Sequence, residues 1–389
     1  MDAAVRLAAQ ELFLQYEARI PAKCMASPPP AALLGAQTAL ADALFSPAAL
    51  AERPRSDAYD RQFVRALVAR VEAAIAAGTD DDAAQLGTEK EDWAVDDTLM
   101  ERHIAVLCTP DDRARGSILG ASVPRPLVRT HYFPTRLATA ADEHHALLGP
   151  CSAIRLCEEG SPISQGTTGL HTWEASLRLG NAVLENCADW LRPGERILEL
   201  GSGAGFLGVL LAKMRARVPD TSLMLTDLDG SVLTRLRETA ARSTCAVSVP
   251  TTDGVDDAVS IEPLDWTELE CSASARVLQR AQATRVFAAD VVYDPQLVPP
   301  LVRTIAAALR AGEYSAPQRP RSAVVASTVR NPATQAHFSA TLAAHGLRAR
   351  TVPYTQQTWP DTGAPLFPSA HSDDVDGRVE IVEVFLAGK

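Results

Sequence analysis

The stretch Glu199-Leu-Gly-Ser-Gly-Ala-Gly205 sets glycines and a serine between two apolar runs, 196–200 and 206–212. Glycine is needed where a backbone turns sharply and lets a ligand approach closely. Apolar run, glycine turn and apolar run read in order as strand, turn and helix. The free N–H groups that open such a helix suit a polar or anionic ligand. Roughly twenty residues on, a second apolar run ends in Thr226-Asp227, the place where a carboxylate can hold ribose hydroxyls. A plain tight turn accounts for the glycines but not for this acid. The dinucleotide spacing G-x-G-x-x-G is met only by Gly203-Ala-Gly205-Phe-Leu-Gly208, partly inside the helical run, which disfavours a pyrophosphate ligand.

A second group of reactive side chains lies at Phe287-Ala-Ala-Asp290-Val-Val-Tyr293-Asp294-Pro295. A carboxylate and a phenol leave an apolar run three residues apart. An Asp at a strand end often only caps the next helix, and Asp294 before Pro295 suits that role. Asp290 sits within the apolar run, where a charge is costly without a partner, so it is the stronger functional candidate. Trp266, in Leu264-Asp265-Trp266, can stack on an adenine ring or simply fill a core. The polar segment 163–176, ending in Thr172-Trp173-Glu-Ala-Ser176, can fold over a ligand or merely connect two elements.

The elements that position these residues follow from periodicity. From residue 151 onward, apolar strands alternate with helical patterns, the mark of a doubly wound α/β domain. Strands are expected at 195–200, 222–227, 246–249, 285–291, 322–328, 347–352 and 379–386. Helices are expected at 173–191, 205–217, 229–242, 295–311 and 332–345. No helical pattern separates the last two strands, only a loop at 355–377, so they should pair antiparallel. Ligands of open sheets sit at the carboxyl ends of strands, here 200–205, 227–229, 263–266, 289–294 and 327–331.

Residues 1–150 read differently, as a smaller helical domain. Val5, Ala8, Ala9, Leu12, Phe13 and Tyr16 share one helical face, and Phe63, Leu67, Val71 and Ile75 mark a helix over 59–76. A further helix is expected within 95–110. Asp80-Asp-Asp82 reads as a surface loop, and no strand alternation shows before about residue 125. No catalytic cluster appears here, and substrate recognition is the expected role.

Length and charge narrow the classes. A chain of 389 residues is expected to form two domains. A net charge of −11 argues against unaided nucleic-acid binding, which needs a basic face. Seven scattered cysteines without a C-x-x-C pair fit free thiols in a reducing compartment. No apolar run is expected to span a bilayer, and Met1-Asp-Ala-Ala-Val-Arg lacks a signal-peptide core, so the cytoplasm is the expected location. The eight histidines lack ligand spacing, and no metal is expected.

Taken together, Q-G-T-T-G-L-x-T-W-E-A, L-E-L-G-S-G-A-G, T-D-L-D, L-D-W and A-A-D-V-V-Y-D resemble family 16 of the seven-strand protein methyltransferases, clearly over 155–330. The I-S-Q-G-T-T-G-L-x-T-W-E form resembles the branch of eukaryotic enzymes that methylate a lysine of translation elongation factor 2. The resemblance implies a Rossmann-like seven-stranded sheet, S-adenosylmethionine as cofactor and elongation factor 2 as protein partner. It assigns Trp173, Gly201, Ser202, Gly203, Asp227, Trp266 and Ala289 to the cofactor, and Asp290 and Tyr293 to the substrate side. A lysine must react uncharged, although its free pKa is about 10.4. Asp290 is therefore expected to orient the amine, since a carboxylate alone would raise that pKa. The alternatives are another target lysine, a non-catalytic binding module of the same fold, and an NAD-linked oxidoreductase, the last disfavoured by the glycine spacing.

Overall fold

The structure, a computed structural model, describes residues 2–52, 58–108, 127–134, 143–159, 169–216, 218–243, 259–311 and 320–387. The chain opens with helices α1 (Ala3–Glu17), α2 (Pro30–Phe45), α3 (Pro47–Glu52), α4 (Ala58–Ala77), α5 (Asp80–Leu86) and α6 (Asp97–Cys108). The expected stripe of α1 is buried throughout, as are Phe63, Leu67 and Val71 of α4. Pro30 opens α2 at its first turn, where no N–H is needed. Pro30–Ala51 is long and apolar enough to cross a bilayer by length and composition, contrary to the sequence expectation. In the fold, Leu33, Leu40 and Leu44 of this segment are buried in the core shared with α1 and α4.

The acidic tract 80–82 is helical, not a loop. Thr79 and Asp82 form a capping box, in which Asp82 N–H donates to Thr79 Oγ1 at 3.3 Å and Thr79 N–H donates to Asp82 Oδ2 at 2.8 Å. Acids in the first turn also face the positive end of the helix dipole.

Three strands follow, β1 (Leu127–Pro134), β2 (Glu143–His145) and β3 (Gly149–Glu158), paired antiparallel in the order β1-β3-β2. Residues 1–150 are thus not wholly helical, and a boundary at 150 falls inside β3. Strand β1 is buried on both faces near its end. Tyr132 meets Phe13 of α1 with ring centroids 5.7 Å apart. Its neighbour His131 points the other way and meets Phe206 edge-on at 5.2 Å. Beyond β2, the amides of β3 are taken up by hydroxyls of a later helix. Arg155 N–H donates to Ser243 Oγ at 3.0 Å and Cys157 N–H donates to Thr239 Oγ1 at 3.3 Å.

The second half contains α7 (Glu174–Glu185), α8 (Cys187–Trp190), β4 (Arg196–Leu200), α9 (Phe206–Arg215), β5 (Ser222–Asp227), α10 (Gly230–Arg242) and β6 (Val259–Pro263). After these come α11 (Ser272–Ala281), β7 (Arg285–Ala289), α12 (Val298–Arg310), β8 (Ser322–Thr328), α13 (Pro332–Ala344), β9 (Leu347–Thr351), α14 (Asp373–Asp376) and β10 (Val379–Leu386). Seven strands form one sheet in the order β6-β5-β4-β7-β8-β10-β9, parallel except for β10. This is the Rossmann-like α/β sheet the sequence implied. The strand expected at 246–249 lies outside the described residues, and β6 supplies the edge next to β5. Helix α11 was not anticipated, and the long helix expected at 173–191 breaks at Asn186, whose Nδ2 donates to the Ala182 carbonyl at 2.9 Å.

One apolar core fills one face of the sheet and continues through β1 and β3 into α1, α2 and α4. A second core, with α11, α12 and α13, covers the other face. The loop 355–377 joins the first core through Trp359, Leu366 and Phe367, and Phe367 stacks edge-on to Phe206 at 5.0 Å. Cys24, Cys108, Cys151, Cys157, Cys187 and Cys271 are free thiols.

Candidate active site

The strand order reverses at β4, which lies between β5 and β7. The loops leaving these neighbours diverge there and open a crevice. A cavity of about 390 Å³ fills it, within the ~300–1,000 Å³ usual for small-molecule sites. Gly201 and Gly203 form one wall, Asp227 stands at the end of β5, and Leu264 and Trp266 follow β6. Trp173 and His171 close it from the segment before α7, while Ala289, Asp290 and Tyr293 come from the end of β7.

The glycine turn is required by geometry. Gly201 has a φ of +69°, and a Cβ there would lie 2.9 Å from Val291 and 3.4 Å from the Trp266 ring. Gly203 has a φ of +53°, and its N–H donates to Asp227 Oδ2 at 3.0 Å. The other Asp227 oxygen accepts the Leu228 N–H at 2.8 Å. The carboxylate is thus held against the glycine turn, with further lone pairs open to hydroxyl donors. Burial raises the Asp227 pKa against these amide bonds, because the charged form is poorly solvated.

Asp290 sits at a strained position. It is a non-glycine residue with a φ of +56°, a conformation that costs about 1–3 kcal/mol. Its N–H still donates to the Ala326 carbonyl of β8 at 2.8 Å. The strain turns its side chain toward the end of β8, where Thr328 N–H donates to Oδ1 at 3.1 Å. Arg330 then grips both oxygens, Nη1 to Oδ1 at 3.2 Å and Nη2 to Oδ2 at 2.8 Å. Asp290 is thus a buried carboxylate in the left-handed region that lines the cavity.

Comparison with known proteins agrees with this geometry. A model of the family described as lysine methyltransferase matches residues 156–339. The protein-lysine N-methyltransferase EEF2KMT of Homo sapiens is 33% identical over 227 residues, 57% of this chain and 65% of the relative. The chain therefore spans just under two thirds of that relative. EEF2KMT of Bos taurus is 31% identical over 248 residues, covering 60% of this chain and 69% of its own. Protein-lysine N-methyltransferase EFM3 of Chaetomium thermophilum is 28% identical over 330 residues, covering 82% and 80%. The chain belongs to the lysine methyltransferase family. Its seven-stranded sheet has the Rossmann-like order, and the family resemblance implies S-adenosylmethionine as the cofactor.

The residues present fit that cofactor. The cradle that a Cβ at Gly201 would fill lies against the Trp266 ring, which offers an aromatic face to a base. Asp227 offers acceptors to a ribose. Ser202 stands beside the lining residues Gly201 and Gly203, and its side chain turns away from them. Its Oγ donates to buried Glu199 Oε2 at 2.8 Å and its N–H donates to the Thr226 carbonyl at 2.9 Å. Ser202 thus braces the turn from behind. Burial, reinforced by nearby Asp227, pushes the Glu199 carboxyl up to about 8 against that bond, so Glu199 is protonated at neutral pH.

Asp294 does not cap α12, which begins four residues later. Its Oδ1 instead accepts the Gln296 N–H at 2.8 Å. Tyr293 is 51% exposed and lines the cavity from its outer edge. The part of the 163–176 segment at 163–168 lies outside the described residues. Its remainder is tied to β3, where Thr172 N–H donates to Glu158 Oε1 at 3.2 Å and His171 Nδ1 lies 3.4 Å from Oε2. Burial alone would raise the Glu158 pKa, but His171 and the Arg129 guanidinium outweigh it and hold it low.

Arg330 and His171 are the residues that sequence reasoning missed. The end of β8, 327–331, is one of the strand ends where a ligand is expected, but an exposed-looking arginine gives no local sign of its partner. His171 stood in a motif position without a type preference.

Proposed function

We propose that this chain is a protein-lysine N-methyltransferase that uses S-adenosylmethionine and acts on translation elongation factor 2 in the cytoplasm. One observation carries the reading: a single cavity joins a nucleoside-type cradle to a buried carboxylate at the end of β7. Gly201, Gly203, Asp227, Trp266, Trp173 and Ala289 would hold the cofactor, with Ser202 bracing the turn. S-adenosylmethionine supplies an electrophilic methyl group when bound.

The remaining work falls to the chain's own residues. Methyl transfer is an in-line displacement, so orientation dominates the rate enhancement. Asp290 accepts an N–H of the incoming amine and aims its lone pair inward. As the nitrogen gains positive charge, the carboxylate stabilises it. Trp173 and Tyr293 border the entrance and exclude water. Elongation factor 2 is favoured by the sequence motif at 163–174 and by relatives named EEF2KMT.

A folded protein substrate needs more contact than one lysine channel offers, about 800 Å² per partner in a standard interface. We assign this role to the helical region and to loop 355–377. Both border a second cavity of about 720 Å³, through Arg19, Ile20 and Pro21 on one side and 368–371 and 374–377 on the other. The test is incubation of the full chain with labelled S-adenosylmethionine and purified elongation factor 2. Label on a lysine of that protein is expected. Label only on other proteins removes the substrate proposal, and failure to bind S-adenosylhomocysteine removes the cofactor reading.

A further inference from the structure

The two cavities share a wall. His171 and Trp173 line both, Asp290 faces the smaller one, and Arg330 faces the larger. Arg330 joins three parts of this wall. Its guanidinium pairs bidentately with Asp290, and its Cζ lies 5.0 Å from the centroid of the Trp173 ring. Its side chain is 43% exposed while that of Asp290 is 3% exposed.

A carboxylate offers about four lone-pair sites. Thr328 N–H and Arg330 Nη1 occupy two on Oδ1, and Arg330 Nη2 occupies one on Oδ2. One site remains, on Oδ2. An ammonium has three N–H donors and no lone pair, whereas a neutral amine has two donors and the lone pair that attacks. The guanidinium charge beside this site also repels a second cation. The other acids lining the transfer cavity, Asp227, Asp229 and Asp265, belong to β5 and the segments after β5 and β6. Asp229 and Asp265 each accept N–H bonds from their own following turns, and Asp227 from the glycine turn.

We propose that Arg330 is a positioning residue for methyl transfer: it fixes the Asp290 carboxylate, leaves it one acceptor site, and selects the neutral form of the incoming lysine. Trp173 holds the guanidinium plane from the far side, so the motif tryptophan acts partly through Arg330. The inference rests on the proposed lysine acceptor at Asp290.

The experiment compares the full-length chain with Arg330→Gln and Arg330→Lys, each saturated with S-adenosylhomocysteine. The probes are n-pentylammonium at pH 7.5, as a charged lysine end, and n-pentanol, as a neutral one. Removal of the guanidinium frees Asp290, so Arg330→Gln is expected to bind n-pentylammonium at least tenfold more tightly, with n-pentanol changed less than twofold. Arg330→Lys keeps the charge and is expected to stay within threefold of the parent for the cation. With elongation factor 2, Arg330→Gln is expected to lose at least tenfold in kcat without a rise in KM, and Arg330→Lys to recover part of it. Equal cation binding by parent and Arg330→Gln, with S-adenosylhomocysteine affinity retained, overturns the proposal. Loss of S-adenosylhomocysteine binding by the parent overturns the cofactor reading instead. An unlabelled elongation factor 2 overturns only the substrate, because the probe binding still decides the role of Arg330.

Discussion

Asp290 combines costs that a purely structural residue would not accumulate: a left-handed backbone, burial of a charge, and an aim into a cavity. Asp290→Ala is expected to lower methylation at least a hundredfold while S-adenosylhomocysteine affinity stays within a few-fold, as calorimetry on the variant would show. Collapse of cofactor affinity in a folded variant would place Asp290 on the nucleoside instead. Glu199 gives a second expectation at this scale. Its carboxyl is raised from 4.5 to about 8 in the fold, chiefly by burial. An acid whose folded pKa exceeds its unfolded one takes up a proton on folding. Its contribution to stability is therefore complete below about pH 4.5 and is lost as the pH rises through about 8. Denaturant titrations should show the parent weakening across that window more steeply than Glu199→Gln, whose amide keeps the Ser202 contact without a titrating proton. Identical slopes would mean that Glu199 is not protonated in the fold.

At the scale of elements, the site depends on where each strand stops and on the turn that leaves it. The β4 turn is glycine because Gly201 faces the cavity at positive φ. Gly201→Val is expected to reduce S-adenosylhomocysteine affinity more than a hundredfold, since its side chain would occupy the Trp266 cradle; unchanged affinity would place the ligand elsewhere. The capping box of α5 is a control far from the chemistry. Thr79→Ala removes an acceptor for Asp82 N–H and should cost about 1 kcal/mol by chemical denaturation. Cofactor affinity should not move. Strand β3 also owes its position to a partner, because hydroxyls of Thr239 and Ser243 on α10 and just after it satisfy amides of β3.

For the whole molecule, the consequence of β1 is cooperative folding. Tyr132 reaches the helical region and His131 reaches α9, so one strand belongs to both halves of the chain. Burial pushes the His131 imidazole down to about 4, and neutral His131 packs between Phe206 and Phe367. Removing residues 1–150 would take β1 and β2 from β3 and uncover Phe206, so the catalytic half is not expected to survive that deletion intact. Tyr132→Ala should cost about 3–5 kcal/mol. Unfolding followed by tryptophan fluorescence and by helical circular dichroism should stay coincident in parent and variant. Two separated transitions would show that the regions fold independently.

The sequence by itself determined what is local in the chain. Helical periods place α1 and α4, alternation places β10, and short apolar runs place β5 and β8, because each pattern is a property of its segment alone. Glycine chemistry and a following acid located the β4 turn and Asp227, because backbone sterics act within a few residues. Tertiary structure decided what depends on strand order. Ser202 turns inward because Glu199 is buried beneath it. Arg330 meets Asp290 across forty residues only because β7 and β8 are neighbours. The antiparallel sheet around β3 eluded the pattern because β1 is buried on both faces near its end, and a strand buried twice shows no alternation. Helix, strand and turn were thus legible from their own residues, while the pairings that make a cavity reactive arose from contacts between segments far apart in the chain.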